Sequence, residues 1–156
     1  MRIMLLTVGK TVVPWVKAAL DVYTSRLKHY VQFEVVEIPE LKGVSALSEA
    51  QIKEREGVLI LKAAGACEIV LLDEHGKMFR SVDFASHLEE KLSHASRDIC
   101  FVIGGAYGFS EEVYSKASYK ISLSPMTFNH QMVRMIFAEQ LYRAFTIMRG
   151  EPYHHE

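Results

Sequence analysis

Short apolar runs alternate with longer segments of helical periodicity along the chain. Residues Val16, Leu20, Tyr23, Leu27 and Tyr30 follow one another at spacings of four and three, the period of an α-helix with one apolar face. The runs that predict buried strands are 3–8, 33–38, 68–73, 99–103 and 119–123. Strands that alternate with helices in this way predict an α/β fold, with a mostly parallel sheet flanked by helices on both faces.

Local signals predict where the helices begin and where one strand ends. Pro14 suits the first turn of the first helix, because that position needs no backbone N–H donor. The pair His75-Gly76 predicts a turn that closes the third strand. Serine side chains favour helix N-termini because they accept backbone N–H groups, and the candidates are Ser45 or Ser48, Ser81 and Ser110.

The last predicted helix follows a loop over 124–130, ends at Gly150 and has no coherent polar face. The apolar residues around its axis are Met132, Val133, Met135, Ile136, Phe137, Leu141, Tyr142, Phe145, Ile147 and Met148. A helix that is apolar all round is buried on most of its sides. The simplest explanation is a homodimer interface, and the alternative is a central core helix of a monomer.

Length and composition restrict the class of protein. The 156 residues predict a single domain over 1–156 without a membrane span, and the N-terminal segment reads as a strand rather than a signal peptide. The two cysteines, Cys67 and Cys100, lack CxxC spacing, so we expect core thiols in a cytoplasmic protein. The formal net charge of −1 argues against sequence-independent binding of nucleic acid.

The predicted topology places a ligand site before any motif is considered. Ligands of parallel sheets bind beyond the carboxyl ends of the strands, which brings Leu72, Gly104 and the loop 123–130 to one edge. The glycine-rich segment 104–108 permits a close approach of backbone to ligand. A P-loop at Gly9-Lys10-Thr11 is rejected, because the glycine required five positions earlier is Met4.

Polar residues of the last helix and the tail are candidates for chemistry. Glu139 and Arg143 are four residues apart and therefore share a helix face, so they can form either a structural ion pair or an anion-binding group. The rings of the tail residues Tyr153 and His154 can stack on bases, although many tails are inert. The scattered histidines predict no metal site.

Three segments together resemble one known family. The strand ending in VGK, the turn FVIGGAYG and the block SPMTFNHQMVRMIFAEQLYRAFTIMRGEPYHHE are similar to the RlmH family of SPOUT-class methyltransferases, and the likeness extends from Met1 to Glu156. The resemblance implies an α/β fold with a deep C-terminal trefoil knot and a homodimer. It also implies transfer of a methyl group from S-adenosylmethionine to N3 of a pseudouridine in 23S ribosomal RNA.

The resemblance also implies the roles of individual residues. Those expected to bind the cofactor are Leu72, Gly104, Leu123, Ser124, Pro125, Met126, Thr127 and Phe128, and those expected at the reaction centre are His130, Glu139, Arg143, Tyr153 and His154. The tail of one subunit is expected to complete the site of the other. His155 stands where many relatives carry Arg or Lys, which removes a fixed cation from that position.

The near-neutral charge and the family likeness lead to an expectation about the substrate. Naked RNA should bind poorly, so we expect the substrate to be an assembled ribosome or large subunit. Two alternatives stay open. One is a SPOUT methyltransferase with another RNA target such as tRNA, and the other is a non-catalytic, flavodoxin-like dimer that binds a nucleotide or RNA.

Overall fold

The computed structural model describes residues 1–155, so Glu156, the last residue of the tail, lies outside the described residues. The strands form one five-stranded sheet in the order β2-β1-β4-β3-β5, and every pair is parallel. Their bounds are β1 Arg2–Val8, β2 Gln32–Ile38, β3 Glu68–Met78, β4 Ile99–Ile103 and β5 Tyr119–Ser122. The predicted α/β fold with a parallel sheet is therefore confirmed.

Helices cover both faces of this sheet. Their bounds are α1 Pro14–Leu27, α2 Glu49–Ala64, α3 Ser81–His94, α4 Glu111–Lys116 and α5 Met132–Met148, and a short 3-10 helix spans Val44–Ala46. Side chains of α1, α3 and α5 pack on one face, and those of α2 and α4 pack on the other. No helix within residues 1–155 is long and apolar enough to cross a bilayer.

Alternating residues of the central strands supply both cores. Ile3 and Leu5 of β1 join the core beneath α5, while Met4 and Leu6 join the core beneath α2. This period of two is what a sheet buried on both faces requires. Cys67 and Cys100 are free and buried, as predicted.

The predicted helix caps are partly confirmed. Ser48 caps α2 through a capping box with Gln51, Ser110 accepts from the backbone N–H of Val113, and Pro14 is the first residue of α1. The prediction for Ser81 is wrong. Arg80 holds the N-cap position of α3, and the Ser81 hydroxyl instead donates to Gln140 Oε1 at 2.8 Å.

The predicted turn at His75-Gly76 is an irregularity within a longer strand. β3 continues to Met78, and its register against β5 shifts between Leu72 and Lys77. A Cβ on Gly76 would lie 2.6 Å from backbone atoms of Ile121, so only glycine permits this approach. The segment 73–76 therefore lies outside the regular pairing of β3 with β5.

Helix α5 lies between α1 and α3 against the sheet. Phe137 packs on Phe101 of β4 with ring centroids 4.7 Å apart, and Leu141 is fully buried. Packing within one chain thus buries much of the apolar surface that the sequence analysis assigned to a dimer interface. The all-round apolarity of α5 does not by itself require a second subunit.

Arg134, near the start of α5, is only 1% exposed, which makes it the bulkiest fully buried side chain. Its guanidinium donates to the carbonyl oxygens of Val8 and Gly9, each at 2.9 Å, and to Thr11 Oγ1 at 2.9 Å. Burial lowers the pKa of Arg134, and the carboxylate of Glu37, 3.6 Å from Nη1, opposes this effect. These contacts join α5 to the carboxyl end of β1.

We expect Arg134→Ala to lower the free energy of unfolding by about 3 kcal/mol, because buried carbonyl groups lose their donors. The measurement is chemical denaturation at fixed protein concentration. Arg55→Ala, at an exposed position of α2, is the control and should change stability by less than about 0.5 kcal/mol. Equal stability of the two variants would contradict this role of Arg134.

Candidate active site

A cleft of about 610 Å³ opens at the carboxyl ends of three neighbouring strands. Its walls come from the ends of β3, β4 and β5 and from the loop that leads to α5. The volume lies in the range of cofactor sites, and concave sites at this edge are typical of parallel sheets. The prediction that Leu72, Gly104 and the loop 123–130 share one edge is confirmed.

Most of the residues predicted to bind a cofactor line this cleft. They are Leu72, Gly104, Leu123, Ser124, Met126, Thr127 and Phe128. Pro125 is exposed and is not among the lining residues. His130, predicted for the reaction centre, also lines the cleft, with an exposed side chain just before α5.

A polar group in the cleft was missed by the sequence analysis. Asp73 follows Leu72, and its side chain is 7% exposed. It accepts hydrogen bonds from the Tyr114 hydroxyl of α4 and from the backbone N–H of His75 at 2.8 Å. All three residues line the cleft. The signal available in the sequence was an acidic residue directly after a strand, at the edge where ligands bind.

Opposing effects set the acidity of this group. Burial alone would raise the pKa of Asp73, but the hydrogen bonds from Tyr114 and His75, with the charge of Lys120, lower the pKa below its ordinary value. Burial, followed by the bond to Asp73, raises the pKa of Tyr114 to about 12. The cleft therefore presents an ionised carboxylate beside a neutral phenol at neutral pH.

The other predicted site residues form a separate cluster on α5 and the tail. Glu139 Oε1 accepts from Arg143 Nη2 at 2.6 Å and Nε at 3.1 Å, which confirms the predicted pairing. The Tyr153 hydroxyl donates to the same oxygen at 2.9 Å. Arg143 Nη1 lies 3.0 Å from His154 Nδ1, and its guanidinium is stacked over the Tyr153 ring. The tail residues are thus packed onto α5.

Neighbouring residues extend this cluster. The Gln140 amide donates to Glu139 Oε2 at 2.9 Å, and the hydroxyls of Tyr23 and Tyr153 are 3.3 Å apart. Burial and the hydrogen bonds with Tyr23 and Glu139 raise the pKa of Tyr153, so its hydroxyl is a neutral donor. The cluster is a fixed network that holds the Arg143 guanidinium in one orientation.

The cleft and the cluster lie at different positions along α5. Val133 lines the cleft, whereas Arg143 is ten residues further along the helix. At 1.5 Å of rise per residue this is about 15 Å. Neither Glu139 nor Arg143 lines the cleft. Within the described chain, the two groups of predicted site residues are therefore not brought together, except for His130.

The described residues contain no group of three or more His, Cys, Asp or Glu side chains arranged to hold a metal ion. Glu139 and His154 are both bound to Arg143.

Comparisons with known proteins show the family to which the chain belongs. Residues 1–154 match the family model described as "Predicted SPOUT methyltransferase". The chain is 54% identical to ribosomal RNA large subunit methyltransferase H of Parabacteroides distasonis, over all of both chains. It is 52% identical to the proteins of the same name from Flavobacterium johnsoniae and Phocaeicola vulgatus, also at full coverage. The chain belongs to the SPOUT methyltransferases and, among them, to the RlmH family.

One solved structure is similar at a lower level. The SpoU methyltransferase AviRb from Streptomyces viridochromogenes, in complex with AdoMet, gives a TM-score of 0.45 at 13% identity. The likeness covers 96% of this chain and 61% of that one. The family assignment does not depend on it.

We expect Tyr114→Phe to raise the pKa of Asp73, because the substitution removes a donor that opposes the effect of burial. An NMR titration of the Asp73 carboxyl measures this shift. In the unaltered protein the stabilisation linked to Asp73 is present above its unfolded pKa and is lost as pH falls through the lower folded pKa. Tyr107→Phe, which also changes a cleft tyrosine, is the control, and equal pKa values in all three proteins would contradict the assignment.

Proposed function

We propose that the chain transfers a methyl group from S-adenosylmethionine to 23S ribosomal RNA, at N3 of a pseudouridine. The observation that carries this proposal is the cleft at the strand ends in a chain 54% identical to a ribosomal RNA large subunit methyltransferase H. Membership of the SPOUT methyltransferase family supports methyl transfer as the reaction, and the name of the relatives supports large-subunit ribosomal RNA as the substrate. Methylation at N3 of a pseudouridine is inferred from the resemblance to the family. The trefoil knot is inferred in the same way and stays a prediction.

The cleft fits the proposed cofactor in size and chemistry. Leu72, Leu123 and Phe128 provide apolar walls for the faces of an adenine ring. The segment 104–108 and the loop 124–128 provide backbone N–H and C=O groups for its polar edge. The Asp73 carboxylate offers an anionic partner for the cationic parts of the molecule. When bound, the cofactor supplies an electrophilic methyl group on a sulfonium centre.

The chain's own residues then align the base and accept its proton. Arg143, fixed by Glu139, is the group that stabilises negative charge on the uracil carbonyl oxygens as N3 loses its proton. The candidate proton acceptors are His130 and His154. Because a guanidinium only donates, His154 Nδ1 accepts from Arg143. That hydrogen bond must break before Nδ1 of His154 takes a proton. We therefore favour His130 as the proton acceptor.

The separation along α5 supports a composite site in a homodimer. Arg143 is about 15 Å along the helix axis from Val133, too far to act on a methyl group in the same chain's cleft. Two copies related by a twofold axis can place the cluster of each against the cleft of the other. In this arrangement His130 and the cleft come from one subunit, and Arg143 and the tail come from its partner.

The proposed substrate is an assembled ribosome or large subunit, which makes the reaction cytoplasmic. With a net charge of −1, the chain lacks the excess of cations that binds naked RNA, so the shape of the particle has to contribute contacts. His155 is exposed at the end of the described tail and supplies no fixed cation.

The proposed reaction is tested with methyl-labelled S-adenosylmethionine and three substrates: unmodified ribosomes, the same ribosomes with uridine at the target, and total tRNA. We expect label in the pseudouridine-containing ribosomes alone, because N3 of that base is the proposed acceptor. Label in tRNA would replace the substrate while retaining the reaction. Cofactor binding without label in any substrate would favour the non-catalytic alternative.

The composite site predicts complementation between two inactive variants. Arg143→Ala should lower kcat by about 10² to 10³ with cofactor binding intact, because charge stabilisation is lost. Gly104→Val should abolish cofactor binding, since even a Cβ atom added at this position would lie only 3.0 Å from the Phe109 ring in the cleft. After subunit exchange, half of the dimers contain one intact site, so the mixture should regain about a quarter of the original activity.

The control for complementation is a mixture of two Arg143→Ala preparations carried through the same exchange, which should stay inactive. A mixed sample as inactive as its components, despite exchange verified by mass spectrometry, would refute the composite site. An active monomer would do the same.

A further inference from the structure

A carboxyl group that the proposed chemistry does not use lies behind the glycine-rich wall of the cleft. Glu56 of α2 is 9% exposed. Its carboxyl is packed against Gly105, where an added Cβ would lie 2.6 Å from Oε1 and 2.7 Å from Oε2. Among residues 1–155, Oε1 has no hydrogen-bond partner. A buried polar atom without a partner lowers stability, so its presence requires an explanation.

The surroundings of Glu56 favour its neutral form. Burial, followed by the charge of Glu40, raises the pKa of Glu56. A neutral carboxylic acid can remain packed against a backbone segment without the large desolvation cost of a carboxylate. The contact of the Glu56 carboxyl with Gly105 is a close packing contact, and burial there costs less free energy as the pKa of Glu56 rises.

Gly105 contacts the Glu56 carboxyl on one side and lines the cleft on the other. The carbonyl of Gly105 accepts from the N–H of Gly108 at 3.2 Å, which closes a short turn over 105–108. Every residue of this turn lines the cleft. The Glu56 carboxyl and the cleft consequently lie on either side of one turn, so a displacement of Gly105 moves the wall.

We propose that Glu56 is a positioning residue for the cofactor: its carboxyl group sets the position of Gly105 and thereby the width of the cleft. This inference rests on the proposed function, because it takes S-adenosylmethionine as the ligand. It also explains the glycine at position 105. Gly105 is not among the glycines with positive φ, so the backbone there accepts alanine, and the obstacle to a methyl group is the Glu56 side chain.

The test is a double-mutant cycle on S-adenosylmethionine binding, measured by calorimetry, with the thermal unfolding midpoint recorded in parallel. We expect Gly105→Ala and Glu56→Ala each to weaken binding about tenfold, the first by a clash and the second by loss of support. The double variant should bind within about threefold of the unaltered chain, because the new methyl group occupies the vacated space.

Two further variants separate positioning from general stability. Glu56→Gln keeps the shape and volume of the side chain and should bind within about threefold of the unaltered chain. Glu54→Ala, an exposed acidic position on the same helix, should leave binding unchanged. A structural role alone would lower the unfolding midpoint of Glu56→Ala without changing its affinity for the cofactor.

The outcomes distinguish this inference from the proposed function. The role of Glu56 would be refuted if the losses of affinity in the two single variants multiply in the double variant. It would also be refuted if Glu56→Ala binds S-adenosylmethionine with unchanged affinity. Both outcomes leave the proposed function intact. Absence of binding by the unaltered chain would refute the proposed function and this inference with it. If Gly105→Ala does not fold, the comparison of Glu56→Ala with Glu56→Gln decides the question.

Discussion

The buried guanidinium of Arg134 connects the two parts of the structure on which the candidate site depends. It binds the carbonyl oxygens at the end of β1 and, through Nε at 3.2 Å, the carbonyl of His130. Gln131 adds to this junction, since its amide accepts from Val12 N and donates to the Lys10 carbonyl. The loop that lines the cleft before α5 is therefore anchored at its α5 end. A charge is retained in the core because it satisfies several backbone acceptors at once.

Helix α5 serves two chemical regions with one rigid element. Its first turns border the cleft, and its later turns carry the Glu139–Arg143 pair with the tail packed on it. A helix buried between α1, α3 and the sheet cannot bend to bring these regions together. The geometry thus favours completion of the site by a second copy, which is the proposal that subunit exchange tests.

The acid–base properties of the cleft come from its packing. Asp73 is ionised because Tyr114 and His75 donate to it despite its burial. Glu56, behind the same wall, has a raised pKa because it has burial and Glu40 but no donor to Oε1. The pKa values of two carboxyl groups, one in the cleft and one behind its wall, are therefore shifted in opposite directions, because one has hydrogen-bond donors and Oε1 of the other has none.

Much of the fold was predictable because it depends on local periodicity. The apolar runs predicted the five strands and their mostly parallel arrangement. Ser110 was identified as a cap, and Ser48 was one of two candidates for the cap of α2, because capping depends on neighbouring residues. Ser81 was predicted incorrectly, because its hydroxyl is used by Gln140 of a distant helix. The edge that holds Leu72 and Gly104 followed from topology alone.

Tertiary packing decided the rest. The register shift beside Asp73 accompanies the close approach of Gly76 to β5, and the role of Arg134 depends on carbonyl groups more than 120 residues away. Likewise, no spacing in the sequence relates Glu56 to Gly105. The sequence by itself determined the elements, the sheet and the family. Only contacts between residues far apart in the chain decided which polar groups are buried, what they contact and which are ionised. The reason is that burial and hydrogen bonding exist only after the elements pack.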